Sequence, residues 1–124
     1  MPKILVVEDD AVIRRMLSGI LVKMGHEVAA AGDGVEALRL LDTAPFDIVI
    51  TDLIMPEMEG LQLIRELRQR KAPQKIIAMS GGGRNSAEDY LDIAKMLSAD
   101  TTLEKPFTVK AVADAISRVM VSAQ

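Results

Sequence analysis

A chain of 124 residues, 49% hydrophobic and 27% charged, is one domain's worth of globular protein, long enough for a single sizeable core and too apolar for disorder. A net charge of −3, with one Tyr, two Phe and no Trp, argues against nucleic acid, which needs a basic face or a stacking platform. With no cysteine there is no disulfide or thiol chemistry, and with no signal peptide or membrane-length apolar run the expected location is the cytoplasm, without membrane insertion.

In chain order, Lys3 to Val7 is a continuous apolar strand that runs into Glu8-Asp9-Asp10. A helical stripe follows in Ile13, Met16, Leu17, Ile20, Leu21 and Met24; Asp10 is suited to cap its start, and Gly25 to end it. Glu27 to Ala31 is a second short strand. Asp33 then caps a helix carrying Val35, Ala37, Leu38 and Leu41 that stops before Pro45. Phe46 to Thr51 is the central strand, delivering Asp52 and ending before Pro56. Leu63, Ile64 and Leu67 form the next stripe, closed by Arg68, Arg70 and Lys71 ahead of Pro73. Lys75 to Met79 is a fourth strand that delivers Ser80 into Gly81-Gly82-Gly83. Ser86 caps a predicted helix with Tyr90, Leu91, Ala94 and Leu97 inward. Thr101 to Leu103 is a fifth strand leading to Glu104-Lys105-Pro106-Phe107. Thr108 caps the last helix, striped by Val109, Val112, Ile116, Val119 and Met120.

Strand and helix thus alternate five times over 1–124 with short links, so the expectation is a single domain with no output domain attached. The alternation requires right-handed crossovers and a doubly wound, five-stranded parallel sheet, and the unbroken apolar strands suit burial on both faces. In the flavodoxin-like order 2-1-3-4-5 the first and third strands are neighbours at the switch point. Glu8, Asp9, Asp52, Ser80 and Lys105 all follow strands, so all belong to one edge of the sheet. Carboxylates crowded there repel, and a hard divalent cation such as Mg²⁺ resolves the repulsion. Asp52 is placed to be a nucleophile toward phosphorus, with the Lys105 ammonium and Ser80 hydroxyl as partners for phosphoryl oxygens.

Val6-Val7-Glu8-Asp9-Asp10, the run Thr51-Asp52-Leu53-Ile54-Met55-Pro56-Glu57-Met58-Glu59-Gly60, Ser80, and Leu103-Glu104-Lys105-Pro106-Phe107 together resemble the receiver domain of two-component response regulators, in order and over essentially the whole chain. The resemblance implies a CheY-like fold and an aspartyl phosphate on Asp52. It implies Mg²⁺ held by Asp9, Asp52 and the backbone carbonyl of Ile54, with Glu8 acting through water. Ser80 corresponds to the switch hydroxyl and Lys105 to the family's lysine, with a cis Lys105-Pro106 bond. Phosphate would come from a sensor histidine kinase or histidine phosphotransfer protein. The downstream target would be a protein that meets the face of the fourth helix, fifth strand and fifth helix. The module would catalyse only its own phosphorylation and dephosphorylation, as a monomer or weak phosphorylation-dependent dimer.

The chain departs from the family pattern at Thr102, three residues before the lysine, where the family usually has Tyr or Phe. The usual inward swing of a ring is therefore absent, and reordering of the Gly81–Asn85 loop is the expected substitute. Ile54 and Gly82, two positions beyond Asp52 and Ser80, cannot orient a water, so slow self-dephosphorylation is expected. Two alternatives stand beside the receiver: a small aspartyl-phosphate phosphohydrolase, which Ile54 disfavours, and a phosphorylation-independent binding module, which the full acidic set disfavours. Gly32-Asp33-Gly34-Val35-Glu36-Ala37 fits a dinucleotide fingerprint only formally, because it follows the second strand. The methionines read as core fillers, His26 as a surface residue beyond a helix end, and Tyr90 as ordinary packing.

Overall fold

A computed structural model describes residues 2–53, 60–80 and 99–122. Five parallel strands, β1 (Lys3–Val7), β2 (Glu27–Ala31), β3 (Ile48–Asp52), β4 (Lys75–Ser80) and β5 (Thr101–Glu104), pair in the order β2-β1-β3-β4-β5. Among the described residues the helices are α1 (Ala11–Lys23), α2 (Gly34–Thr43), α3 (Gly60–Gln69) and a C-terminal helix (Val109–Ser122). The predicted helix at 86–97, the Gly81–Asn85 loop, Ile54 and Tyr90 lie outside the described residues.

The doubly apolar strands have a simple cause. Successive side chains of a strand point to opposite faces, so a sheet covered on both sides needs an apolar residue at nearly every position. Leu5, Val7, Val49, Ile76 and Ala78 turn toward α2 and α3, meeting Ala37, Leu63, Ile64 and Leu67. Ile4, Val6, Ile48, Ile50, Ile77 and Met79 turn the other way, against Leu17 and Leu21 of α1 and Val112, Ala115, Ile116 and Val119 of the C-terminal helix. Each large side chain so buried contributes about 1.5–3 kcal/mol relative to exposure.

Local chemistry sets the helix ends. Asp10 caps α1 by accepting from the amides of Val12 and Ile13 at 2.9 and 3.2 Å. Asp33 caps α2 through the Glu36 amide at 2.8 Å, and Thr108 accepts from the Ala111 amide at 3.0 Å. Gly25, at φ 96°, takes the left-handed position just past α1 that disfavours a Cβ.

Several expectations need correction. Met16, Val35, Val109 and Met120 belong to predicted inward stripes yet are exposed, because each helix touches the sheet along a band narrower than its apolar periodicity. Ala115, outside its predicted stripe, is buried instead. The central strand begins at Ile48 rather than Phe46 and includes Asp52; Phe46 is buried just before it, with Lys3 Nζ 5.0 Å from its ring centroid. His26 is buried, not a surface residue. Its amide donates to the carbonyl of Leu21 at 3.1 Å, which folds the chain back under α1 before β2 begins.

Candidate functional site

The order β2-β1-β3 makes β1 and β3 neighbours, with Val7 opposite Thr51. The next residue on each strand is therefore an acid, Glu8 on one and Asp52 on the other, at the carboxyl edge where open α/β sheets place their ligands. Carboxylate oxygens of Glu8, Asp9 and Asp52 lie within 4.8 Å of one another. Glu8 is buried, Asp52 half-buried and Asp9 exposed, so the cluster grades from core to solvent.

Lys105 brings the compensating charge from the far side of the sheet. Its Nζ donates to Oε1 of Glu8 and, at 3.0 Å, to Oδ2 of Asp52. A backbone hydrogen bond holds it there: the Lys105 amide donates to the Ser80 carbonyl at 2.8 Å, locking the end of β5 to the end of β4. The Lys105-Pro106 bond is cis. Burial pulls the Lys105 ammonium down, but its hydrogen bonds to Glu8 and Asp52 outweigh that and leave its pKa raised. Glu8 is pushed up from 4.5 to about 7; burial is the main cause, Lys105 opposes it, and Asp9 and Asp52 add to it.

Ser80 closes β4, fully buried, with its Oγ lacking a hydrogen-bond partner among the described residues. An unpartnered buried hydroxyl at a strand end is costly unless a ligand or a movement satisfies it. Four of the predicted side chains, Glu8, Asp9, Asp52 and Lys105, thus converge, and Ser80 stands on the adjoining strand end.

Two supports of the site were not foreseen. Arg14 reaches back from α1, its Nη1 donating to the carbonyl of Glu8 at 2.8 Å, with the Asp9 carbonyl at 3.5 Å. The guanidinium therefore steadies the backbone of the acidic loop. Nothing in the sequence singled Arg14 out from the solvent-facing cations around it. The other support is Gly60, the first residue of α3: a Cβ there would stand 1.7 Å from the backbone oxygen of Asp52. Only glycine lets α3 start so close to the end of β3. Its place in the Asp52–Gly60 motif was visible, but the contact was not.

A family model described as "Response regulator receiver domain" matches residues 4–117. The chain belongs to the response regulator receiver domain family. Relatives agree with this along the full length. Chemotaxis protein CheY of Bacillus subtilis is 36% identical over 119 residues, covering 95% of this chain and 97% of that one. Response regulator receiver protein CpdR of Brucella abortus is 32% identical over 126 residues, covering 99% and 100%. The structure of chemotaxis protein CheY4 of Vibrio cholerae superposes with a TM-score of 0.85 at 33% identity, over 96% of this chain and 98% of that one. As a receiver, the chain is a phospho-accepting module of two-component signalling, and its doubly wound 2-1-3-4-5 sheet is the CheY-like fold.

Proposed function

We propose that Asp52 is the phospho-acceptor of this receiver and that a histidine kinase or histidine phosphotransfer protein is its donor. The observation that carries the reading is the convergence of Glu8, Asp9 and Asp52 within 4.8 Å, with Lys105 hydrogen-bonded between two of them. In the transfer, an oxygen of Asp52 bonds to phosphorus while the phosphorus–nitrogen bond of the phosphohistidine breaks, and the departing imidazole keeps the bond's electron pair and takes up a proton. Lys105, held protonated, is within reach of the charge that gathers on the phosphoryl oxygens, and Ser80 offers an unspent hydroxyl.

The donor set fits a hard divalent ion. Three close carboxylates with one half-buried ammonium are short of positive charge, and carboxylate oxygens suit Mg²⁺. Asp9 and Asp52 would hold it directly and Glu8 through water, with the carbonyl of Ile54 as the further ligand. Bound there, Mg²⁺ would supply charge neutralisation between acceptor and phosphoryl group.

The similarity to CheY and CpdR supports action as a switch or phosphate carrier. Its effect would then pass through protein contacts at β5, the C-terminal helix and the predicted helix at 86–97. Among the described residues no helix is long and apolar enough to cross a membrane, in keeping with action in the cytoplasm. The test is intact mass after incubation with Mg²⁺ and acetyl phosphate, beside Asp52→Asn. A single phosphoryl adduct in the wild type alone is expected. An adduct that survives in Asp52→Asn would move the acceptor elsewhere, and turnover of free phosphate without an adduct would favour a phosphohydrolase.

A further inference from the structure

Glu8 is tied at both of its backbone groups. Its amide donates to the carbonyl of Ala31, at the end of β2, at 3.1 Å, and its carbonyl accepts from Arg14 Nη1 at 2.8 Å. The same Nη1 stands 3.5 Å from the Asp9 carbonyl, at the limit of hydrogen-bond range. The peptide between Asp9 and Asp10 therefore turns its carbonyl toward the guanidinium, while its N–H donates to Oε2 of Glu8 at 3.2 Å. The other carboxylate oxygen of Glu8 accepts from Lys105. Two cations thus bear on the Glu8 carboxylate, Lys105 directly and Arg14 through a peptide.

Arg14 is itself braced. A Cβ on Gly32 would lie 3.5 Å from its Nη1 and 3.8 Å from Oε2 of Glu36, and that oxygen accepts from the Gly32 amide at 3.2 Å. The half-buried guanidinium therefore packs against a loop that Glu36 holds in place. Arg15, the next residue of α1, is exposed and donates to none of these carbonyls.

We infer that Arg14 is a positioning residue for phosphoryl transfer: it fixes the Glu8–Asp9 backbone so that the carboxylates are already placed for a divalent cation. The inference rests on the Mg²⁺ reading above and adds to it a residue that makes no hydrogen bond to Asp52. The sign of the effect separates it from plain electrostatics. Arg14 is a positive charge near a cation site, so if charge alone mattered its loss would tighten Mg²⁺ binding. Loss of an outer support acts the other way and weakens a metal by about 10- to 100-fold. Carboxylates on a loosened loop must be ordered at the moment of binding, and that ordering costs affinity.

The test titrates Mg²⁺ into the full ¹⁵N-labelled chain, following the amides of residues 8–10, and measures adduct formation from acetyl phosphate. Arg14→Met keeps an apolar stem without the donor and should weaken Mg²⁺ by at least about 10-fold. Adduct formation should slow at limiting Mg²⁺ and return close to the wild-type rate at saturating Mg²⁺, because Arg14 does not act on the reacting atoms. Arg14→Lys restores a charged donor and should fall between the two, which carries the test if Arg14→Met does not fold. Arg15→Met removes the same charge one residue along. Val119→Ala truncates a buried side chain near the end of the C-terminal helix and lowers Tm without touching the acidic loop. Both controls should bind Mg²⁺ as the wild type does. Unchanged or tighter binding in the Arg14 variants, an equal loss in either control, or a rate that stays low at saturating Mg²⁺ would overturn the inference and leave the Asp52 reading in place. A wild type that binds no Mg²⁺ would overturn both.

Discussion

Lys105 Nζ lies 3.0 Å from Oδ2 of Asp52 while also donating to Glu8, so one ammonium from the end of β5 stands between carboxylates from β1 and β3. A charge-assisted hydrogen bond of this kind is worth about 1.5–3 kcal/mol. Lys105→Met should therefore lower phosphorylation by acetyl phosphate by at least about 10-fold, measured as the rate at which the adduct appears. It should also tighten Mg²⁺ binding, since the ion then meets no competing cation. Weaker Mg²⁺ binding in Lys105→Met would mean that the lysine organises the carboxylates and does not compete with the ion.

Glu8 supplies a pH dependence whose sign is fixed by its raised pKa, about 7 in the fold against 4.5 ordinarily. Between those values the folded chain holds a proton that the unfolded chain has released, so this group's contribution is complete below pH 4.5 and is lost as pH rises through 7. In EDTA, stability should fall by up to about 3 kcal/mol between pH 5 and pH 8. Glu8→Gln should flatten that slope, and added Mg²⁺ should stabilise the wild type more at pH 8 than at pH 6, because protons and metal compete for the carboxylate. A thermal melting series in EDTA and in Mg²⁺ checks all three.

Gly60 tests how closely α3 is seated on the acceptor strand. A Cβ at 1.7 Å from the Asp52 oxygen and 2.6 Å from its carbonyl carbon meets backbone that cannot swing aside. Gly60→Ala should cost at least about 3 kcal/mol and lower Tm by roughly 10 °C or more. Any folded fraction should phosphorylate slowly, because the displaced atoms belong to Asp52 itself. A variant that melts like wild type would show that α3 can slide away freely.

Asp10 separates capping from chemistry within one acidic run. Its carboxylate is spent on the amides of Val12 and Ile13, while its own amide donates to Oε2 of Glu8 at 3.2 Å. Asp10→Ala should cost about 1 kcal/mol, some 3–6 °C in Tm, with phosphorylation still on one site. Asp10→Ser should recover most of the stability. Loss of the adduct in Asp10→Ser would make Asp10 part of the site.

These residues also show which features a sequence can carry. The five strands and their order were readable because burial on both faces leaves a continuous apolar run, and the capping roles of Asp10, Asp33 and Thr108 because short polar side chains at helix starts have one dominant use. Glu8, Asp9, Asp52 and Lys105 were readable because all follow strands, so topology alone brings them to one edge. Periodicity could not resolve the width of a buried band, and so placed Met16, Val35, Val109 and Met120 inward. His26 went wrong because its burial depends on a backbone hydrogen bond to Leu21, which leaves no mark on residue type. Arg14 and Gly60 act through backbone carbonyls, and a contact to a carbonyl can be made at any position in any sequence.

The last prediction concerns how long the phosphoryl group stays. Hydrolysis needs a group that orients a water in line with the acyl phosphate. Of the groups on Asp52, Lys105 is a donor held protonated, and the Thr51 hydroxyl is committed to the Asp52 carbonyl at 2.9 Å. Glu8 is engaged by Lys105 and by the amide of Asp10. Ile54 and Gly82, at the two positions expected to govern water access, carry no polar side chain. The adduct should therefore outlast desalting and be followed by intact mass over successive hours. Ile54→Asn, which adds an amide able to hold a water, should shorten its life by at least about 10-fold. Rapid loss from the wild type, or no change in Ile54→Asn, would show that the water is positioned from elsewhere.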